Sequence, residues 1–490
     1  MDYTINIMYF AISKRNLKRI CNTLLVHFIF SHTEYRRICE LEKVIRLIDT
    51  VNNVVWGMSG ILMLLGCGMY FTFRLKFFQI TKLSLWTKQT FGSLFKREKA
   101  EAGQITPYKA VASALASSVG TGNIVGVATA IAAGGPGAVF WMWISAFFGM
   151  ATKYGEILLA VKFREKKKDE VFGGPMYYIE KGLGKNYRWL AVLFSISGIF
   201  ACFGMGGMSQ ANAISSIIAP MGILSKKSIG IILGIMAFAV ISGGISRISS
   251  AAAFLVPIMA GAYLLCGIAV LFIYPENVVM AMGKIFMCAL SPAAIYGATS
   301  GLMVKNALRF GFARGVFSNE AGLGSAPMIH ASAKAKSPAL QGFWGVFEVF
   351  VDTMLVCSVT AIVVISSDVC EVEINGSNLA SLAFGKLLGD FGLIFVNVAI
   401  CLFALSTILG WSYYGERCIL YLTAENGMAR NIFRVAFAFA VALGSYMGTE
   451  NVWALGDMFN GMMMIPNLIG LILLSEIVVK ESDKTMKNKT

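Results

Sequence analysis

The segment Ser118-Val119-Gly120-Thr121-Gly122-Asn123 interrupts an apolar stretch running from about Val111 to Ala133. A second interruption, Tyr296-Gly297-Ala298-Thr299-Ser300-Gly301, lies in the stretch from about Val279 to Phe310. Glycine costs roughly 1 kcal/mol relative to alanine inside a helix. In lipid an unwound turn also frees backbone N–H and C=O groups, tolerated only where they are buried in protein or line a polar cavity. A break at Gly120 and Gly122 offers carbonyl oxygens from one half-helix, which suit a hard cation. It offers N–H groups and a positive helix end from the other, which suit a carboxylate. The chemistry is that of a sodium ion and an amino-acid carboxylate held side by side, with Thr121 and Asn123 adding neutral polar side chains. The same glycines also suit close helix packing, and the G-x-G spacing alone does not choose.

Other polar residues in apolar runs extend the set. Ser406 and Thr407 place two adjacent hydroxyls in an apolar helix, with Trp411 one turn later. Such hydroxyls often only bond their own i−4 carbonyl; together with a broken helix they form hard-oxygen ligands for a cation. Gln210 needs a hydrogen-bond partner in a membrane, either a neighbouring helix or a ligand. Gly204, Gly206 and Gly207 leave room beside it, and Phe203 and Trp411 are candidate apolar walls. Glu348 and Asp352 share a helix face at i,i+4. Asp352 lies too deep to snorkel, so it is either a coupling residue or a structural group bonded to donors, the latter being preferred. Lys153 and Glu156 are read as a pair, or as side chains snorkelling from near a helix end. Arg314 and Glu320 are expected to pair across a folded, small-residue-rich gate that ends at Pro327. The chain shows no nucleophile–base pair and no phosphate-binding loop, so no enzymatic activity is expected.

The elements that position these residues are membrane helices. Hydrophobic residues make up 57% of the 490 and charged residues only 14%, against about 25% charged in ordinary soluble domains. Eleven spans are expected, at roughly 51–73, 107–133, 137–161, 189–219, 228–246, 250–274, 279–308, 341–366, 387–415, 429–447 and 451–478. The fold class is therefore an all-α polytopic membrane protein. Glycine-broken spans in both halves of such a chain point to a midplane site in a secondary transporter. The net charge of +15 sits in loops between spans, the pattern of cytoplasmic loops and not of nucleic-acid binding. Lysines and arginines after spans one, three and seven, and at the C-terminus, fall on one side when eleven spans alternate. That side is the cytoplasm, which puts the C-terminus inside and the N-terminus outside. Ten scattered cysteines and three histidines give no zinc or disulfide framework.

Residues 1–40 break the pattern. They carry Lys14, Arg15, Lys18, Arg19, Arg36 and Arg37 on the side where the count expects few cations. Leu24–Phe30 is too short to span. A true start near Leu41 is the preferred reading; the alternative is an amphipathic extension on the membrane surface.

The stretch Ala114–Ile124, containing Ser118-Val119-Gly120-Thr121-Gly122-Asn123, resembles the signature of the alanine/glycine:cation symporter family of bacteria and archaea. So do Gly173-Gly174-Pro175-Met176-Tyr177-Tyr178, Ala313-Arg314-Gly315 with Ser318–Pro327, and Gly410-Trp411-Ser412-Tyr413-Tyr414-Gly415-Glu416. The likeness covers about 41–482, leaving a short cytoplasmic tail at 483–490. It implies a LeuT-like fold: one extra helix (51–73), then two inverted five-helix repeats at 107–274 and 279–478. It implies a sodium site from the Ser118 and Thr121 carbonyls, the Phe403 carbonyl and the Ser406 and Thr407 side chains. It implies substrate contacts from Thr121, Gly122, Asn123, Gly297 and Gly301, with Phe203, Gln210 and Trp411 completing the pocket. This chain departs from the family in having Gly297-Ala298 where two glycines are usual, and Ser406 where threonine is common. The implied activity is sodium-coupled uptake of alanine or glycine across the bacterial inner membrane by a monomer, with no organic cofactor. Proton coupling through Asp352 is the alternative.

Overall fold

The computed structural model describes residues 43, 46–93, 103–167, 170–290, 298–369 and 376–487. Residues 46–51 are helical and belong to a separate unit; all elements named below lie in the unit that starts at Asn52. Most of the described backbone is helical, as the apolar runs require. The order is α1 (Met58–Arg74), α2 (Leu83–Thr90), α3 (Pro107–Ser118), α4 (Gly122–Gly134) and α5 (Gly137–Lys162). A hairpin follows, β1 (Glu165–Lys167) and β2 (Glu170–Phe172), antiparallel with Glu165 opposite Phe172. Then come α6 (Pro175–Leu183), α7 (Lys185–Met221), α8 (Lys226–Ile241), α9 (Gly244–Ile273) and α10 (Pro275–Leu290). The chain continues through α11 (Ala298–Asn319), α12 (Pro338–Ser366), α13 (Gly376–Leu422), α14 (Gly427–Gly444), α15 (Thr449–Leu473) and α16 (Ser475–Lys487).

Among the described residues, eight helices are long and apolar enough to cross a membrane, and nine if the bent pair α3–α4 is one broken span. Their outer faces are apolar: α9 exposes Phe254 (68%) and Phe272 (81%) while burying Tyr263 completely. Ser249 and the Tyr263 hydroxyl are turned inward instead. This inversion is what a hydrocarbon solvent favours, because an unpaired polar group in lipid costs several kcal/mol.

The first break lies where the glycines predict it. Thr106 caps α3 by accepting from the Lys109 N–H at 3.2 Å, with Pro107 in the first turn. The helix stops at Ser118 because Val119 leaves helical geometry (φ −74°, ψ 86°). The axis then bends by 50° into α4. Gly120 is also a close-approach glycine: a Cβ there would overlap Thr407 Oγ1 on α13. Unwinding and tight packing thus coincide at one position.

The second expected interruption is described only from Ala298 onward. Ala298–Gly301 are helical, within the first turn of α11, and that helix runs unbroken to Asn319 and not to about 308. A glycine in a first turn escapes much of the penalty of a helix interior. α10 ends at Leu290 and α11 begins at Ala298, and Tyr296 and Gly297 of the expected interruption lie outside the described residues. α13 is kinked at Gly389 (φ 64°, ψ −152°), close to the expected start of its span. Three helices carry widened π turns: α4 at Gly122–Gly126, α7 at Cys202–Met208 and α12 at Phe350–Cys357. Such turns are frequent at functional sites, and residues of all three surround the α3–α4 break.

Candidate functional site around the broken helix

The break is built from the backbone outward. The Gly120 N–H, left without a helical partner, donates to Asn123 Oδ1 at 2.8 Å. Asn123 Nδ2 in turn donates to Asp352 Oδ1 at 2.7 Å. The other carboxylate oxygen, Oδ2, accepts from Ser318 Oγ at 2.8 Å and Thr353 Oγ1 at 2.9 Å. Asp352 therefore draws one donor each from α4, α11 and α12. The Asn123 carbonyl, freed by the π turn, accepts from Thr360 Oγ1 at 2.7 Å. Thr360 and the Tyr263 hydroxyl lie 2.6 Å apart. All these side chains are fully buried, so the pairing is what makes the broken backbone tolerable.

On the α13 side, Ser406 Oγ and Thr407 Oγ1 both donate to the Phe403 carbonyl, at 2.8 and 3.0 Å. Thr407 Oγ1 also reaches the Ala116 carbonyl at 3.3 Å, on the last turn of α3. The Thr407 hydroxyl thus faces the end of the first half-helix. Ser118 Oγ is buried there without a hydrogen-bond partner in the protein. The two hydroxyls and the Phe403 and Ala116 carbonyls are a set of hard donors with no carboxylate, compatible with a weakly held monovalent cation.

On the opposite side, Thr121 Oγ1 donates to Gln210 Oε1 at 3.0 Å, and Gln210 Nε2 donates to the Met205 carbonyl at 3.1 Å. Trp411 fits against α7 only because Gly206 has no side chain; a Cβ there would overlap Trp411 Cβ. The Trp411 indole N–H donates to Glu320 Oε1 at 2.7 Å, and Ser325 Oγ donates to the other oxygen at 2.5 Å. Gly122 faces α11, where an added Cβ would meet the Phe317 ring at 3.1 Å. Ser118, Thr121, Gly122, Asn123, Gln210, Phe403, Ser406, Thr407 and Trp411 thus lie around one break. Phe203 is turned toward α14 instead, with ring centroids 5.6 Å from Phe433 and 6.3 Å from Phe437.

Two expected pairings are corrected. Lys153 and Glu156 neither snorkel nor pair: both are fully buried, and Lys153 Nζ lies 3.0 Å from Glu348. Glu348 also bonds His330, while Glu156 accepts from Asn467 Nδ2 at 2.5 Å. Arg314 does not reach Glu320. It lies 3.6 Å from Asp457 and stacks over the Phe317 and Trp453 rings. A long cation in a membrane protein minimises cost by entering a pre-built acceptor cage when one exists. Here Lys153 also donates to the Asn319 carbonyl at 2.7 Å, at the end of α11. There Glu320 turns left-handed (φ 57°).

Ser318, Asn319 and Glu320 are site residues that sequence reasoning treated only as part of a gate. Their signal was a polar run ending a helix whose true extent was underestimated.

A second cluster closes the side of the molecule that carries the hairpin. Glu170 on β2 binds Arg417 at 3.0 Å and Arg430 at 2.8 Å, and Glu416 binds Arg434 at 2.7 Å. Partial burial pushes the Glu170 carboxyl up, but Arg417 and Arg430 together outweigh it and hold it below its ordinary value.

Residues 41–490 match the model of the sodium:alanine symporter family. The chain is 42% identical over 445 residues to the sodium/alanine symporter AgcS of Methanococcus maripaludis, covering 89% of this chain and 96% of that one. It is 35% identical to the probable sodium/glutamine symporter GlnT of Bacillus subtilis, covering 88% of each. It is 34% identical to the putative sodium/proton-dependent alanine carrier protein YrbD of Bacillus subtilis, covering 90% of this chain and 93% of that one.

Proposed function

The chain belongs to the sodium:alanine symporter family, and from that premise we propose that it couples sodium entry to uptake of a small neutral amino acid, alanine or glycine. The observation that carries the reading is the meeting of the Thr407 hydroxyl with the carbonyl end of α3 at the break. Sodium is held by the Ser118, Thr121 and Phe403 carbonyls and the Ser406 and Thr407 hydroxyls. The zwitterion's carboxylate meets the N–H end of α4 near Thr121, Gly122 and Asn123. Gln210 and Trp411 close the pocket, with Gly297 and Gly301 on the partner span; Phe203, packed on α14, backs the wall from behind.

The proposed architecture has eleven spans, counting α8 and the interrupted pair α10–α11. It is a LeuT-like pair of inverted repeats at 107–274 and 279–478 after one extra helix, in the inner membrane, monomeric, with the C-terminus cytoplasmic. Rocking of one repeat bundle on the other then exposes the site to either side. The proton-coupled alternative needs Asp352 to exchange a proton during the cycle. Its bonds to donors from three helices support a structural role instead. Counterflow and uptake in proteoliposomes, with a panel of L- and D-amino acids and with or without a sodium gradient at fixed pH, test the proposal. Sodium-dependent accumulation of alanine or glycine supports it. Accumulation that follows a pH gradient and ignores sodium refutes it.

A further inference from the structure

Glu320 follows the end of α11 in a conformation that an L residue rarely adopts (φ 57°), and Gly322 and Gly324 come after it at φ 92° and 79°. These left-handed residues make an irregular turn in the interior, with Glu320 and Ser325 fully buried. The turn is held by its own backbone and by two other helices. The Glu320 N–H donates to the Val316 carbonyl at 2.8 Å, and the Leu323 N–H donates to the Glu320 carbonyl at 3.2 Å. Lys153 Nζ, on α5, donates to the Asn319 carbonyl at 2.7 Å. Asn467 Nδ2, on α15, donates to the Gly322 carbonyl at 2.9 Å. Irregular backbone at membrane depth persists only where it is buried in protein or lines a cavity. The Glu320 side chain is thus carried on a fixed support.

Its carboxylate has two side-chain partners. Ser325 Oγ donates to Oε2 at 2.5 Å, and Trp411 Nε1 donates to Oε1 at 2.7 Å. The N–H is the one polar group of an indole, and Trp411 is fully buried. A hydrogen bond to an ionised acceptor is roughly twice as strong as a neutral one, so Glu320 is the directional tether of that ring. The other neighbours are apolar: Gly206 faces the Trp411 Cβ and the near edge of the ring, and the Tyr414 ring stands edge-on at 5.4 Å. Gly206 lies one turn before Gln210, whose bond with Thr121 joins α7 to the broken turn. Trp411 therefore packs beside the break, and its orientation is set by a residue of another span.

We propose that Glu320 is a positioning residue that sets the size limit of the substrate pocket. It acts through Trp411, holding the indole in the orientation that closes the wall over a side chain no larger than a methyl. The inference rests on the reading of Trp411 as a wall of that pocket. Without an acceptor at this place the indole turns away, the wall opens, and a bulkier neutral amino acid such as valine is admitted.

The test measures KM and kcat for glycine, alanine and valine in proteoliposomes at saturating sodium. The proteins compared are the unmodified chain, Glu320→Gln, Glu320→Ala, Trp411→Phe and the double variant Glu320→Ala/Trp411→Phe. Glu320→Gln keeps an oxygen that accepts from the indole, so it is expected to retain most of the preference for alanine over valine. In Glu320→Ala that preference, as a ratio of kcat/KM, falls by roughly tenfold or more, the fold-change that loss of one hydrogen bond to a charged group produces. Trp411→Phe keeps a ring and removes the N–H, so it relaxes the preference in the same direction. Glu320→Ala adds no further relaxation in that background. Equal loss of uptake for all three solutes in Glu320→Ala, with the ratio unmoved, overturns the proposal. So does a relaxation that is just as large when Trp411 is already phenylalanine. Should Glu320→Ala not fold, Trp411→Phe decides alone, and an unchanged preference in that variant overturns the proposal. Failure of the unmodified chain to accumulate alanine or glycine with sodium overturns the transport reading and this inference with it. Sodium-dependent uptake by the unmodified chain with unchanged selectivity in every variant overturns this inference only.

Discussion

Replacing Asp352 by asparagine separates a structural carboxylate from a coupling one. Oδ1 accepts from Asn123 at 2.7 Å, and Oδ2 accepts from Ser318 at 2.8 Å and Thr353 at 2.9 Å. An asparagine keeps one acceptor oxygen. Turned toward Ser318 and Thr353, it retains two bonds and sets its NH2 against the Asn123 NH2. One charge-assisted bond is then lost, worth roughly 1.5–3 kcal/mol. Some of that is recovered because Asn123 Nδ2 also approaches the Asp352 carbonyl at 3.3 Å. A destabilisation of about 2 kcal/mol is the expected net, with larger losses for Asp352→Ala, which strands three buried donors. The assays are thermal denaturation of the purified chain and uptake in proteoliposomes across pH, with and without sodium. The asparagine variant is expected to melt earlier, to retain sodium-dependent uptake, and to show an unaltered pH profile. Unchanged stability with loss of a pH-driven component of uptake would mean that Asp352 carries the coupling proton. The structural account would then be wrong.

Thr407→Ala and Ser406→Ala each remove one proposed sodium ligand. At about 1 kcal/mol per oxygen, each raises the half-saturating sodium concentration by roughly fivefold, Thr407→Ala more because its hydroxyl also meets Ala116. Identical sodium titrations of both variants and the parent exclude the site. Gly206→Ala drives a methyl into Trp411, and overpacking of this kind costs about 1–3 kcal/mol. Reduced stability and uptake are expected, and a variant indistinguishable from the parent shows that Trp411 is not held against α7. Glu170→Gln removes a carboxylate whose affinity for protons the native state lowers. Its stabilising effect is fully present above the ordinary glutamate value of 4.5 and fades as pH falls through the lower native value. The stability gap between parent and variant is therefore expected at neutral pH and should close in acid; a gap independent of pH contradicts the ion pairing.

Much of this was legible in the sequence because lipid makes local rules strict. Gly120 and Gly122 in an apolar run pointed to a break or to close packing, and both appear there. Ser406 and Thr407 were recognisable as a pair for the same reason. What was not legible depends on neighbours far along the chain. Nothing near Lys153 announces that Glu348, nearly two hundred residues on, and Asn319 at the end of another helix form its cage. Of the second interruption, Gly301 reads as a break in sequence but lies in a helical first turn. Strands of three residues such as β1 and β2 carry too little pattern to stand out, and their place is set by Glu170 meeting Arg417 and Arg430.

The hydrogen bonds around the break bear on how two solutes are coupled. Thr407 and Ser406 direct their protons at the Phe403 carbonyl. A cation asks the same three oxygens to present lone pairs. Both hydroxyls must therefore rotate, giving up bonds worth about 1 kcal/mol each. Those losses offset part of the ion's binding energy and favour modest affinity, as suits an ion that must also be released. Thr121 stands between the two proposed sites: its carbonyl belongs to the cation set, and its hydroxyl is bonded to Gln210 at 3.0 Å. Fixing its backbone with an ion fixes the hydroxyl and the N–H groups that follow it. Ordering them once serves both ligands, so the second is bound with less entropy to lose. By linkage the effect is reciprocal: substrate must tighten sodium by the same factor that sodium tightens substrate. Breaking the Thr121–Gln210 contact with Gln210→Ala should then lower that shared factor while leaving sodium binding alone nearly unchanged. A variant in which both affinities fall but their coupling survives would place the linkage elsewhere than in the unwound turn.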